Sequence, residues 1–518
     1  MLKEGFITEE ERNKAAEQRI WSSSYGRPPR AATIVHPPLQ GSAKYPYFID
    51  YVRRYLENKL GRDAVYRGGL EIHTTLDPKI QADAEKAVSG ALLGTLPPLE
   101  MALAAVDPNT GHVKALVGGR DFGASGGQVN LALGRCTSPP ERLRSKVDVE
   151  ATCWKPPKGQ VPVDGGGTGR QPGSAWKPIV LAAALEKGIS DTKVYSAPSS
   201  YRIPGCRGDL GCVIRNYEGS GGGRASLRQG TVKSYNTVYA QVIRDVGVPE
   251  AAEMAKKLGI TSAWVANPEV HGPSYALGAQ EVAPLEMASA YGVFATNGMR
   301  AAPTPVEWIT TRSGRTVEDN RRPRLERVLS ESVAYNVTDI LKGVITGGTG
   351  TRADIGRPAA GKTGTAQEWR DAWFIGYTPQ LSAAVWIGNK DRPTTLSNIK
   401  GLEHVFGGSI PAETWKAFML EALKDVPPQD FVAPASYYVP PPTYTPPSVR
   451  VPRETTTTAD PYATTTTAYV PDYTTPTYAP PGYTPPPTYT PPTTFQPYQP
   501  YNPNPPADDT PSGGLLFG

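Results

Sequence analysis

Apolar positions fall into two rhythms along this chain, and each rhythm predicts a different element. Tyr47 to Leu60 reads as a helix. Leu70, Ile72 and Thr74 then alternate as a strand, after which Asp77 caps a helix that carries Pro78 in its first turn. The run MALAAVDPNTGHVKALVGG is two apolar stretches joined by a Pro, Asn and Gly turn, a hairpin signal. A polar insertion of about 35 residues ends in VDGGGTGRQPG, and SAWKPIVLAAALEKG then predicts a buried helix from near Ser174 to Gly188. Further helices are expected over Val238 to Leu258, Pro284 to Thr296 and Glu331 to Ile345. Past Gly361 the aromatic and β-branched runs around a Thr-Pro turn predict consecutive antiparallel strands. An early hairpin, central helices and a late hairpin imply an α+β fold, with an antiparallel sheet packed between helices.

Composition narrows the ordered part of the 518 residues. Beyond about Ala433 the sequence turns to Pro, Thr and Tyr repeats such as YVPPPTYTPPS, which bury too little apolar area to offset the entropy of ordering. A solvated, disordered, polyproline-like tail is expected there, because PxxP matches say little in such a segment. The net charge of +5 comes from scattered Lys and Arg without a basic block, which argues against nucleic acid as a partner. The longest apolar run in the helical regions, Ile179 to Leu185, is far short of the roughly 20 residues that span a bilayer. At the N-terminus, MLKEGFITEEERNKAAEQRI shows a Thr8 to Glu11 capping box and an acidic helix start. It has no apolar signal core, so nothing here is expected to export the chain. The four cysteines, Cys136, Cys153, Cys206 and Cys212, fit neither a redox pair nor a zinc set, and in an oxidising compartment they allow three disulfide pairings. The five histidines are dispersed, and no metal site is expected.

Three short motifs carry the candidate chemistry. GRPAAGKTGTAQ, Gly356 to Gln367, satisfies the phosphate-loop pattern formally, but neither the apolar strand before it nor the helix after it is present. The stretch is better read as Lys362, Thr363, Gly364 and Thr365 opening a strand whose edge an extended substrate could join. Ser174 and Lys177 in SAWK stand three residues apart, on one face of a helix N-terminus. A base beside a serine hydroxyl removes its proton, and the positive helix end favours the charge that develops. Ser234, Tyr235 and Asn236 offer a hydroxyl and an amide on a turn before a helix. Each motif is common by itself, but SxxK, SxN and KTG in this order form the signature of penicillin-recognising acyl transferases.

With these motifs the chain resembles the transpeptidase region of class A, bifunctional penicillin-binding proteins. GGLEIHTTLDPKIQADAEKAV, RQPGSAWKP, APLEMASAYGVFATNGMRAAP, GKTGTAQEWRDAWFIGYTPQLSAAVWIGN and GGSIPAETWKAFM extend the similarity over about residues 45 to 425. The resemblance implies a penicillin-binding protein/serine β-lactamase-like transpeptidase fold. Residues 1–44 would be the end of a glycosyltransferase domain with a linker, 45–95 an inter-domain linker region packing on the transpeptidase, 96–430 the transpeptidase and 431–518 the tail. The resemblance implies that most of the glycosyltransferase domain and its membrane anchor lie outside this sequence, so the expectation is no glycan polymerisation by this chain and a Met1 that marks a truncated reading frame or a fragment. The insertion carrying Cys136 and Cys153 departs from the family pattern, and no function is assigned to it.

The implied reaction is peptidoglycan D,D-transpeptidation through a serine acyl-enzyme, with peptidoglycan stem peptides as substrates, β-lactam antibiotics as inhibitors and no cofactor. In it Ser174 is the nucleophile, Lys177 the base, Ser234 a proton relay, Asn236 an orienting amide and Lys362 the source of a positive field. Thr363 and Thr365 grip the substrate carboxylate, Gly364 admits its backbone, and the N–H groups of Ser174 and Thr365 form the oxyanion hole. The implied location is the extracytoplasmic face of the bacterial membrane, with the full-length form anchored and cell-wall partners as candidates for the tail. A serine β-lactamase would need its own deacylating machinery, in class A enzymes a Glu and a water; here SYN replaces SDN and no matching Glu motif follows. A non-catalytic β-lactam sensor would keep SxxK and KTG, but the flanks DPKIQADAEKAV and GGSIPAETWKAF resemble the bifunctional synthases.

Overall fold

The computed structural model describes residues 8–16, 20–22, 33–35, 44–124, 126–134, 169–205, 212–262, 272–391 and 394–435. The insertion with Cys136 and Cys153, Cys206, and the Pro/Thr/Tyr tail lie outside them. Thr8 and Glu11 close the expected capping box, through Glu11 N–H to Thr8 Oγ1 and Thr8 N–H to Glu11 Oε2.

In chain order the main elements are helix α1 (Pro46–Leu60), strand β1 (Leu70–Thr74), helix α2 (Pro78–Leu92) and the hairpin β2 (Leu99–Val106) and β3 (Val113–Val117). Next come α3 (Lys177–Glu186), α4 (Asn236–Val246), α5 (Val248–Lys257), α6 (Pro284–Ala295), β4 (Val306–Thr311), β5 (Thr316–Asp319) and α7 (Glu331–Gly347). The chain then forms β6 (Ala360–Thr365), β7 (Asp371–Tyr377), β8 (Ser382–Asn389) and α8 (Ile410–Ala422).

Five strands pair in the order β6, β7, β8, β2, β3, antiparallel throughout. The late strands therefore join the early hairpin, with Ser382 opposite Val106 and Asn389 opposite Leu99. Both sheet faces are covered, which is why β2 reads as an apolar run from Met101 to Val106 and all eight of its residues, Glu100 included, are buried. Ala102, Ala104 and Val106 face a layer that holds α3, α4, α6 and α7. Met101, Leu103 and Ala105 face α2 and α8 on the other side. A second, three-stranded sheet in the order β5, β4, β1 pairs Leu70 with Thr311 and Ile72 with Ile309.

Local chemistry sets the boundaries. Asp77 caps α2 as expected, its carboxylate accepting from the Lys79 and Ile80 N–H groups at 2.9 and 3.1 Å. Gly188, at φ +83°, stops the buried helix. The single helix expected over Val238 to Leu258 is instead two, since Gly247 at φ +101° breaks the path between α4 and α5. All residues of α3 from Lys177 to Ala184 are buried, so this stretch of the helix is apolar all round except for one amine.

Candidate active site

A 3₁₀ turn, Gly173–Trp176, delivers Ser174 to the entry of α3 and runs straight into Lys177. Several bonds fix it. The Trp373 indole N–H donates to Gln171 O at 2.8 Å, Gln171 Nε2 to Ala279 O at 3.0 Å and the Tyr291 hydroxyl to Ala175 O at 2.6 Å. Gly173 sits at φ +53°, and a Cβ there would fall 2.2 Å from Thr365 O. A Cβ on Gly364 would fall 2.2 Å from Pro172 O. The serine turn and the KTGT strand thus touch backbone to backbone, which only glycine permits at these two positions. Ser174 itself is half-buried.

KTGT occupies β6, the edge strand of the main sheet. Ala366 N–H donates to Asp371 O at 2.9 Å, which sets the alternation of the antiparallel ladder. By that alternation the N–H groups of Thr363 and Thr365 point away from β7, toward the free edge. Gly361, Lys362 and Thr363 are extended strand, and only a 3₁₀ turn, Gln367–Trp369, separates Thr365 from β7, so the phosphate-loop geometry, in which the loop opens an α-helix, is absent.

The SYN turn supplies the opposite wall. Ser234 adopts φ +60°, the left-handed region that a non-glycine residue enters at a cost, so the surrounding structure must impose it. Asn236 opens α4, and its Nδ2 donates to Arg215 O at 2.9 Å, which leaves Oδ1 facing inward.

These elements bring five of the expected side chains, Asn236, Lys177, Ser234, Lys362 and Thr363, into one hydrogen-bonded chain. Lys177 Nζ donates to Asn236 Oδ1 at 2.8 Å, to Ser234 O at 2.6 Å and to Ser234 Oγ at 3.2 Å. Lys362 Nζ reaches the same Ser234 Oγ at 2.9 Å and Thr363 Oγ1 at 3.3 Å. Both lysines are fully buried. Burial, and behind it the charge of Lys362, holds the Lys177 ammonium well below the ordinary lysine value. Burial alone brings Lys362 down to about 7. Two amines sharing one hydroxyl titrate as a pair, and the arrangement favours a neutral Lys177 beside a charged Lys362 up to near neutrality. A neutral amine, a shared hydroxyl and two outward backbone N–H groups can together accept, relay and stabilise charge during acyl transfer.

Other members carried no motif of their own. The Tyr239 ring lies 5.3 Å from Lys177 Nζ, one helical turn after Asn236. Gly407 N–H donates to Thr365 Oγ1 at 3.1 Å, and Thr349 Oγ1 lies 2.6 Å from Thr363 Oγ1. Gly407 falls in the GGSIPAETW stretch, where a glycine pair before a helix was a visible signal. Among the described residues no three His, Cys, Asp or Glu side chains converge as a metal site would require.

Comparison with known proteins bears on this geometry. The family model for the penicillin-binding protein transpeptidase domain matches residues 101–398. Penicillin-binding protein 1A of Mycolicibacterium smegmatis is 31% identical over 388 residues, which cover 71% of this chain and 43% of that protein. Penicillin-binding protein 1A of Aquifex aeolicus is 26% identical, covering 84% of this chain and 62% of the relative, so the chain spans about half the length of these curated relatives. The structure of the penicillin-binding protein PonA1 from Mycobacterium tuberculosis matches with TM-score 0.61 and 27% identity, over 77% of this chain and 97% of that one. PonA1 in complex with penicillin V matches with TM-score 0.60 and 26% identity, over 75% of this chain and 96% of that one. With the family model covering more than half of its length, the chain belongs to the penicillin-binding protein transpeptidase domain family.

Proposed function

We propose that this chain is a serine D,D-transpeptidase that cross-links peptidoglycan stem peptides and is acylated by β-lactams. The observation that carries the reading is the hydrogen-bonded chain from Asn236 through Lys177 and Ser234 to Lys362, set beside the Ser174 turn. Lys177 accepts the Ser174 proton as Oγ attacks the carbonyl between the two terminal D-alanines. The oxyanion that forms is held by the N–H groups of Ser174 and Thr365, donors typically worth about 2.7 to 4 kcal/mol each. Collapse breaks the C–N bond, Ser234 passes a proton to the departing D-alanine nitrogen, and an ester remains on Ser174. An amine of a second stem peptide then attacks the ester carbonyl and gives up a proton through the same groups. The new amide is released and the Ser174 hydroxyl restored.

Thr363 and Thr365, beside Lys362, suit a substrate carboxylate, and the outward N–H groups of β6 suit an extended peptide backbone. A β-lactam follows the first step only, because ring opening leaves the nitrogen tethered where the acceptor amine must enter. The proposed place of action is the extracytoplasmic face of the bacterial membrane. In support, Cys212 is engaged in a disulfide, which suits an oxidising compartment. No described helix is long and apolar enough to cross a membrane. Labelling with a fluorescent penicillin tests the proposal: a long-lived adduct on the wild type but not on Ser174→Ala supports it. Rapid turnover of the adduct would point to a β-lactamase, and no adduct on either protein would refute both readings.

A further inference from the structure

The hydrogen-bonded chain does not stop at the three motifs. From Ser234 Oγ it passes through Lys362 Nζ to Thr363 Oγ1, and from there to Thr349 Oγ1 at 2.6 Å. Thr349 lies in the glycine-rich loop after α7 and is half-buried. The loop that carries it is tightly held. Gly350 N–H donates to Val344 O at 3.0 Å, a Cβ on Gly348 would fall 2.6 Å from Val232 O, and a Cβ on Gly408 would fall 2.4 Å from Thr349 O. Lys233, next to Ser234 in sequence, donates through Nζ to Gly347 O at 3.0 Å, tying this loop to the SYN turn.

Donor arithmetic at Thr363 gives the loop a role. A threonine hydroxyl has one hydrogen and two lone pairs. If Thr363 is to grip a carboxylate, its only hydrogen must point at that carboxylate, and any neighbour at hydrogen-bond distance must then donate to it. A neighbour unable to donate would either draw the hydrogen away or set lone pair against lone pair. Lys362 can donate from one side at 3.3 Å; Thr349, closer at 2.6 Å, is the group able to donate from the other.

We propose that Thr349 is a positioning residue for substrate recognition: its hydroxyl donates to Thr363 Oγ1 and thereby turns the Thr363 hydrogen toward the carboxylate of the acyl donor. This rests on the transpeptidase reading above. Valine at 349 keeps the shape and removes the donor, whereas serine keeps the donor.

The test compares wild type, Thr349→Val, Thr349→Ser and Ser174→Ala as full chains, with benzylpenicillin and its methyl ester, whose carboxylate is blocked. Second-order acylation rates are read by intact-protein mass, alongside thermal melting. The expected result is that the preference for the acid over the ester drops about tenfold in Thr349→Val, the scale of one hydrogen bond to a charged group, and returns to within about twofold in Thr349→Ser. An unchanged preference in Thr349→Val, equal slowing of both probes with a lower melting temperature, or no restoration by serine would overturn the assignment. If wild type forms no Ser174-dependent adduct with either probe, the transpeptidase reading itself fails and Thr349 falls with it. Wild-type labelling with an unchanged preference in the valine variant removes Thr349 alone.

Discussion

Lys362→Met separates the electrostatic role assigned to Lys362 from simple packing. In the native site both lysine amines reach Ser234 Oγ, at 3.2 and 2.9 Å, so they lie no more than about 6 Å apart. Two unit charges at that distance repel by about 3 kcal/mol at an effective dielectric of about 20. That repulsion adds to burial in disfavouring the Lys177 ammonium. The neutral amine is the form that accepts the Ser174 proton, and a depressed value keeps it neutral at lower pH. Removing the Lys362 charge raises Lys177 toward its ordinary value, so the acid limb of acylation moves to higher pH. Losing about 3 kcal/mol of repulsion slows acylation by about a hundredfold at the acid end of the profile, and the deficit shrinks as pH rises. The wild type has a second limb, falling above about 7 as Lys362 gives up its proton, and the variant lacks it. The assay is the second-order rate of penicillin acylation from about pH 5.5 to 9.5. Two parallel profiles offset by a constant factor would refute the electrostatic argument.

Stability should follow the same group. Lys362 is depressed from 10.5 to about 7 in the fold, so between those values the unfolded chain binds a proton that the folded one does not. Stability against denaturant therefore rises with pH across that window, by up to about 1.4 kcal/mol per unit for this group, and Lys362→Met flattens the slope. Gly173→Ala places a Cβ 2.2 Å from Thr365 O at a left-handed φ of +53°. It should push the serine turn off β6 and slow acylation by about a hundredfold or more while lowering the melting temperature. Asp77→Ala removes the α2 cap on the far side of the sheet. The expected cost is about 1 kcal/mol in denaturant unfolding, with the acylation rate of the folded protein unchanged.

Much of this architecture was legible because local rules decide it. The Asp77 cap, the hairpin around Asp107 to Gly111 and the run from Ser174 to Gly188 each declare themselves within a few residues. The break at Gly247 was hidden because α4 and α5 both present apolar faces, and a glycine between two helical patterns is also compatible with one. Pairing of Leu70 with Thr311 left no local trace, since register between distant strands is set by packing, not by either strand alone. The site divides in the same way. Ser174, Lys177, Ser234, Asn236 and Lys362 are marked by spacing, whereas Thr349 and Gly407 are neighbours only through the fold. A lone threonine such as Thr349 carries no pattern from which its partner can be read, and the glycine pair at Gly407 marks a turn without naming the residue it meets.

Peptide mapping of the penicillin adduct tests the central claim most directly. After brief exposure of the full chain to benzylpenicillin and proteolysis, mass spectrometry locates the acyl group. The account predicts that it is carried on Ser174, in the peptide containing SAWK, and that Lys362→Met slows its appearance most at low pH. An adduct borne by another residue, or a chain that stays unmodified, would contradict it.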